Sequence, residues 1–223
     1  MKLETYPDRE MMFIDLANRI AGELKNCLLT HEWASFAVPG GTTPGPIFDV
    51  LCDVQLDWAR VCVMLTDERW VPESSDRSNT KLLRERLLTG RAAAARYLPL
   101  YRETAEPEDA LTEIANDIAP MLPLSMLLLG MGPDMHMASL FPGADRLTDA
   151  LSPNAPHVLP MRADAAGEPR ITLTAPVLAD AMTTHVVITG DEKRQSLEKA
   201  QHLPADQAPV SLVLDRATVH WAP

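Results

Sequence analysis

Apolar residues recur three and four apart between Arg9 and Leu29. Met12, Phe13, Leu16, Ala17, Ile20, Ala21, Leu24 and Leu28 share a face, with Asp15, Arg19, Glu23 and Lys25 largely between them. That spacing predicts an amphipathic helix. The pattern then changes to a continuous apolar run, Ala34–Val38, stopped by Pro39-Gly40-Gly41, which predicts a strand and a breaker. Thr43-Pro44 opens a second helix through Ile47, Phe48, Val50 and Leu51, with Thr43 as its cap. Val61–Leu65 and Met126–Leu129 read as further buried strands, and shorter ones are expected near Val158, at Arg170–Leu173 and at His185–Thr189. Helices are expected at Asn79–Leu88, Glu106–Ala119, Ala175–Ala181 and Asp191–Gln201, while Thr66–Ser78 reads as a polar loop. Strands apolar on both faces, alternating with helices, predict an α/β fold. Its plan is a mostly parallel open sheet with helices on both faces, Rossmann-like. With no internal repeat or long linker, residues 1–223 read as one domain.

A hydrophobic share of 46% and a charged share of 23% over 223 residues supply an ordinary core and exclude a disordered chain. No apolar stretch approaches the ~20 residues needed to span a bilayer. The start, Met1-Lys2-Leu3-Glu4-Thr5, lacks the basic-then-apolar layout of a secretory signal, so a cytoplasmic protein without membrane contact is expected. Three cysteines without a CxxC pair argue against a disulfide framework or a zinc ribbon, and Cys62 reads as a small core hydrophobe. The net charge of −11 argues against a nucleic-acid surface. An anionic ligand would therefore have to meet a local cluster of cations.

Open parallel sheets place ligands beyond the carboxyl ends of their strands, so the loops there carry the candidate chemistry. Gly40, Gly41, Thr42 and Thr43 combine close backbone approach with hydroxyl donors, suited to phosphate, or form a plain tight turn. The GxxxxGK[ST] spacing of a Walker loop is absent. In Thr66-Asp67-Glu68-Arg69, Asp67 can act as a base or polarise a partner and Arg69 can clamp an anion, or the run is a solvated ion-pair loop. Of six histidines, only His136 lies in a Gly-rich loop after a buried strand. Asp134, two residues earlier, can fix its tautomer. Gly130-x-Gly132 has Met135 where a dinucleotide fingerprint needs a third glycine, and Ser139 lacks the GxSxG frame of a nucleophile elbow. Asp134 and His136 are too few ligands for a metal, so none is expected. Arg170 and Lys193 sit beside strand ends and can complete a positive cluster with Arg69.

Taken together and in order, these motifs resemble the 6-phosphogluconolactonase family, which shares its fold with the glucosamine-6-phosphate deaminases. The matching stretches are Gly40-Gly41-Thr42-Thr43-Pro44, Thr66 to Pro72, Leu129 to Gly143, Pro169 to Thr174, Thr189-Gly190 with Lys193, and Trp221-Ala222-Pro223. The resemblance implies hydrolysis of 6-phospho-D-glucono-1,5-lactone to 6-phosphogluconate in the pentose phosphate pathway, without metal or organic cofactor, by a monomer or small homo-oligomer. It implies that His136 takes a proton from the attacking water, that Asp134 holds His136, and that Asp67 is an auxiliary polar group. The Gly40–Thr43 loop, Arg69, Arg170 and Lys193 would hold the phosphate or sugar hydroxyls. Two positions depart from the family pattern: Met135 stands where glycine is usual and Met137 where threonine is usual. If the glycine is left-handed, methionine there costs roughly 1–2 kcal/mol and can shift the ring. Amino-sugar-phosphate deaminases resemble the chain as well, but carry Asn-Glu-Pro where it has Leu140-Phe141-Pro142. A non-catalytic sugar-phosphate sensor is the remaining alternative, and such regulators normally append a DNA-binding segment.

Overall fold

In a computed structural model that describes residues 1–164 and 166–223, the chain lays down ten strands. They are β1 (Lys2–Thr5), β2 (Ala34–Val38), β3 (Val61–Leu65), β4 (Asp67–Arg69), β5 (Arg96–Leu98), β6 (Met126–Gly130), β7 (Val158–Met161), β8 (Arg170–Leu173), β9 (Thr184–Thr189) and β10 (Thr218–Ala222). The α-helices are α1 (Arg9–Thr30), α2 (Gly45–Leu51), α3 (Asn79–Arg86), α4 (Leu111–Ile118), α5 (Leu147–Leu151), α6 (Ala175–Ala179), α7 (Asp191–Ala200) and α8 (Ser211–Leu214). Seven strands form one parallel sheet in the order β1-β10-β9-β6-β2-β3-β5. The other three form an antiparallel sheet, β4-β8-β7.

The apolar runs explain the large sheet. Every residue of β2 and β3 is buried, as expected for strands covered on both faces. Helix α1 buries the stripe Met12, Leu16, Ile20, Leu24 and Leu28, and its start is fixed by Asp8, whose side chain accepts from the Met11 N–H at 2.8 Å. Truncating one of these, such as Leu16→Ala, costs about 2–5 kcal/mol through the cavity it leaves. Cys62 is fully buried in β3, and burial pushes its thiol up to about 11, the behaviour of an inert core side chain.

From β2 the chain steps outward through β3 to β5, then returns to the other side of β2 with β6 and steps outward again through β9 and β10. The direction reverses between β2 and β6, and a crevice opens there beyond the carboxyl ends of the strands.

The structure corrects several local expectations. The stretch Thr66–Ser78 is not all loop: β4 lies within it, paired with β8 so that Asp67 faces Thr172 and Arg69 faces Arg170. Lys2–Thr5, Arg96–Leu98 and Thr218–Ala222, to which the hydrophobic pattern assigns no element, are strands. They are short and mixed in polarity, and pairing with a neighbour supplies the order that their own pattern lacks. The expected helix Glu106–Ala119 begins as a 3₁₀ turn at Pro107–Ala110 before α4. Thr43 does not cap α2. Pro44 occupies that position without a side-chain hydrogen bond, and Pro46 lies in the first turn. Among the described residues, no helix is long and apolar enough to cross a membrane.

Candidate active site

A cavity of about 390 Å³ opens at the crevice between β2 and β6. Its wall is formed by Gly40, Gly41, Thr42 and Thr43 after β2, Asp67 and Arg69 on β4, His136 after β6, Arg170 on β8 and Lys193 on α7. These residues lie far apart in the chain and meet in one hollow. Asp134 is the one candidate outside this lining, and it meets the cavity through His136. Its Oδ1 lies 2.5 Å from His136 Nδ1. With Nδ1–H donating to the carboxylate, the other ring nitrogen carries the lone pair of a free base. The same hydrogen bond holds the Asp134 carboxyl below its ordinary value, against the opposing effect of burial.

The loop that carries His136 is tightly built. Gly132 N–H donates to His136 O at 3.1 Å, and Met135 N–H donates to Gly132 O at 3.0 Å. The imidazole packs on the bare Cα of Gly132, where any Cβ would overlap the ring. Met135 and Ala138 both have positive φ, 66° and 49°, so Met135 does occupy a left-handed position that favours glycine. With Met135 in that conformation the imidazole keeps its contact with Asp134. The Met135 side chain packs against the core, and its carbonyl accepts from Val210 N–H at 3.2 Å. Met137 is fully buried in the core and does not line the cavity.

Strand alternation explains the Asp67-Glu68-Arg69 run. Successive side chains point to opposite faces, so Asp67 and Arg69 share one face with their partners Thr172 and Arg170. Glu68 points the other way and is fully buried. It accepts from Arg69 N–H and Asn79 N–H, both 2.8 Å, and from Thr80 N–H at 2.7 Å, Thr80 Oγ1–H at 2.8 Å and Ser78 Oγ–H at 3.2 Å. Burial raises its pKa and these bonds oppose the rise. Glu68 thereby joins β4 to the amino end of α3 and sets one wall of the cavity. Asn79 belongs to that wall. Its side-chain amide donates to Asp67 O at 2.9 Å and packs on Gly40, where a Cβ would overlap it. The sequence reading missed Asn79, because a polar residue at a helix start carries no chemical signature of its own.

The cations are placed to receive an anion. Arg69 donates to Arg77 O at 2.6 Å and Arg170 to Ala166 O at 3.0 Å, but among the described residues the Nε of each is buried without a hydrogen-bond partner. A buried unsatisfied donor costs about 1–3 kcal/mol, a cost that an acceptor brought by a ligand would offset. Burial pulls the Arg170 pKa down, and Asp67 at 3.8 Å opposes that effect. Lys193 is also lowered by desolvation, against Glu192 and Asp134. Phe141 lies between the two ends of the site, its ring centroid 4.4 Å from that of His136 and 5.8 Å from the Arg170 guanidinium carbon. Among the described residues, no group of three or more His, Cys, Asp or Glu side chains is placed to hold a metal.

The site therefore combines an oriented imidazole with a partly unsatisfied cation cluster in one polar hollow. A protein of Mesorhizobium japonicum named 6-phosphogluconolactonase is 42% identical over 227 residues, covering 98% of this chain and 94% of that protein. Another of that name, from Rhizobium meliloti, is 42% identical over 93% of each chain. The crystal structure of a 6-phosphogluconolactonase from Shewanella baltica superposes with a TM-score of 0.96 at 28% identity, over 100% of this chain and 98% of that one. The model of the glucosamine-6-phosphate isomerases/6-phosphogluconolactonase family matches residues 7–221. With nearly every residue inside that match, the chain belongs to this family.

Proposed function

We propose that this chain hydrolyses 6-phospho-D-glucono-1,5-lactone to 6-phospho-D-gluconate in the oxidative pentose phosphate pathway, as one catalytic domain over residues 1–223 working in the cytosol. The observation that carries the reading is the pairing, within one cavity, of the Asp134-held His136 with the unsatisfied donors of Arg69 and Arg170. His136 removes a proton from water as the water oxygen attacks the lactone carbonyl carbon. The tetrahedral intermediate then expels the ring oxygen, which takes a proton and becomes a hydroxyl, leaving the open-chain acid. General-base help of this kind contributes about 10²–10⁴-fold, and a lactone is already an activated ester. Arg69, Arg170, Lys193 and the Gly40–Thr43 loop hold the phosphate and sugar hydroxyls, so that remote binding orients the carbonyl. No cofactor takes part.

A coupled assay on freshly generated lactone tests this directly, read against the spontaneous decay rate. Turnover well above that rate is expected, with unphosphorylated gluconolactone a much poorer substrate. Equal turnover of the two lactones would remove the phosphate site. Ammonia release from glucosamine 6-phosphate, without lactone hydrolysis, would transfer the chain to the other branch of its family.

A further inference from the structure

The turn that follows His136 makes a contact for which the reaction as proposed has no use. Met137 and Leu140 form a bridge, with Leu140 N–H donating to Met137 O at 3.0 Å, and Ala138 between them is held at positive φ. This arrangement places Ser139 at the tip of a tight turn, fully buried. Its Oγ–H donates to Asp67 Oδ2 at 2.6 Å, while its own N–H donates to Thr172 Oγ1 at 3.2 Å. Both acceptors belong to one register pair of the small antiparallel sheet. Ser139 is therefore bolted to the polar face of that sheet by two bonds, one to each strand.

Asp67 has little freedom left. Thr66 Oγ1–H donates to its Oδ1 at 3.1 Å, Ser139 to its Oδ2, and the same Oδ2 lies 3.8 Å from Arg170 Nη1. The Asp67 carboxylate is 9% exposed. A carboxylate that accepts from two hydroxyls has a fixed plane and cannot swing between a proton-transfer pose and an ion-pair pose. Its fixed edge is the one beside Arg170, whose hydrogen bond among the described residues goes to Ala166 O and whose guanidinium lies over Phe141.

Resting on the sugar-phosphate reading above, we infer that Ser139 is a positioning residue that acts through Asp67. It locks the His136 loop to the small sheet and so fixes Arg170 for the anionic end of the substrate. The base lies in the loop after β6 of the large sheet and Arg170 lies on β8 of the small one, and this hydroxyl is a direct side-chain tie between the two. The orientation it fixes belongs to binding more than to proton transfer, because His136 has its own orienting partner in Asp134.

The test is a double-mutant cycle with Ser139→Ala and Asp67→Asn. Calorimetric affinity for 6-phosphogluconate and for inorganic phosphate is measured for all four proteins, together with kcat, KM and the melting temperature. Ser139→Ala is expected to raise KM and weaken both anions about tenfold, with kcat within about threefold of the parent, since one bond to a charged group is lost. In the Asp67→Asn background the same change is expected to weaken binding less than twofold, because the partner through which it acts is already altered. Ser139→Cys leaves no cavity and keeps a weaker donor on a slightly larger side chain, and should fall between, which covers the case of an alanine variant that does not fold. Equal losses in both backgrounds, or a fall in kcat at unchanged KM, would overturn the inference. Absent lactone turnover in the parent would overturn the substrate reading instead, while the phosphate arm of the cycle would still report whether Ser139 and Asp67 act as one unit.

Discussion

The molecule contains two histidine–carboxylate assemblies, and they are built to opposite ends. At the cavity, His136 stands on a strained loop with one ring nitrogen on Asp134, and its side chain is 27% exposed. Beneath α1, outside the cavity lining, His185 and His220 are buried and approach each other diagonally across β9 and β10. There His220 Nε2 lies 3.0 Å from His185 Nδ1, and His185 Nε2 lies 2.8 Å from Glu23. Tyr6 stands 2.9 Å from His220 Nδ1 and donates to Asp15 at 2.6 Å. Both nitrogens of both rings are thus engaged. The chain of contacts ties the β1–α1 junction and two points of α1 to the middle of the sheet.

Burial perturbs one member of the buried pair. His220 is pulled down to about 3, first by burial, then by His185 and Arg19, with Glu4 and Asp15 opposing. A strong shift in this case marks a structural fastening, whereas the histidine that lines the cavity is the one left partly in contact with solvent. A perturbed pKa locates stress in a fold. Chemistry also needs an accessible lone pair.

The largest separation between the two assemblies is expected from alanine substitution. His136→Ala should lower lactone turnover by about 10²–10⁴-fold with only a small change in melting temperature. Near-normal turnover would break the comparison at its first term. His220→Ala should do the reverse: a loss of about 2–4 kcal/mol from the unsatisfied partners and the cavity left behind, seen as a fall of several degrees in Tm. Turnover per folded molecule should stay within about twofold, and a kinetic collapse at full stability would place His220 in the mechanism.

The second separation concerns pH. A histidine held neutral in the fold but free to charge when unfolded makes stability fall as pH drops below the unfolded value of about 6.5, until the folded value near 3 is reached. Between pH 6.5 and pH 5 this amounts to about 1.6 kcal/mol. Denaturant midpoints across that range should lose this slope in His220→Gln, and an unchanged slope would assign the acid sensitivity elsewhere. Asp134 works in the same direction, because its lowered carboxyl value gives stability above its unfolded pKa that is lost on acidification.

The smallest effect is expected at the loop itself. Met135→Gly relieves a left-handed cost of roughly 1–2 kcal/mol but surrenders side-chain packing and adds freedom to the unfolded chain. The two nearly cancel, so Tm should move by less than about 4 °C and turnover by less than about threefold. A tenfold kinetic loss would show that the methionine side chain, and not only the backbone turn, aims the imidazole.

The sequence by itself determined the parallel sheet and the loops that carry the chemistry. Runs such as Ala34–Val38 and Val61–Leu65 are apolar throughout, and the 3.6-residue stripe of α1 has few competing readings, because burial pattern is a local property of the chain. His136 stood out as the histidine in a Gly-rich loop that follows a buried strand. Tertiary structure alone decided the rest. The strand inside Thr66–Ser78 exists because β8 pairs with it, and only that pairing turns Asp67 and Arg69 one way and Glu68 the other. Asn79 became part of the cavity wall, and Ser139 a partner of the lining Asp67, because Gly40 and Asp67, far away in sequence, come within reach of them. His185 and His220 lie 35 residues apart and acquire their partnership only when β9 and β10 come side by side. Local pattern records which faces are buried. Which side chains then meet is fixed by strand order and register, and no window along the chain contains that information.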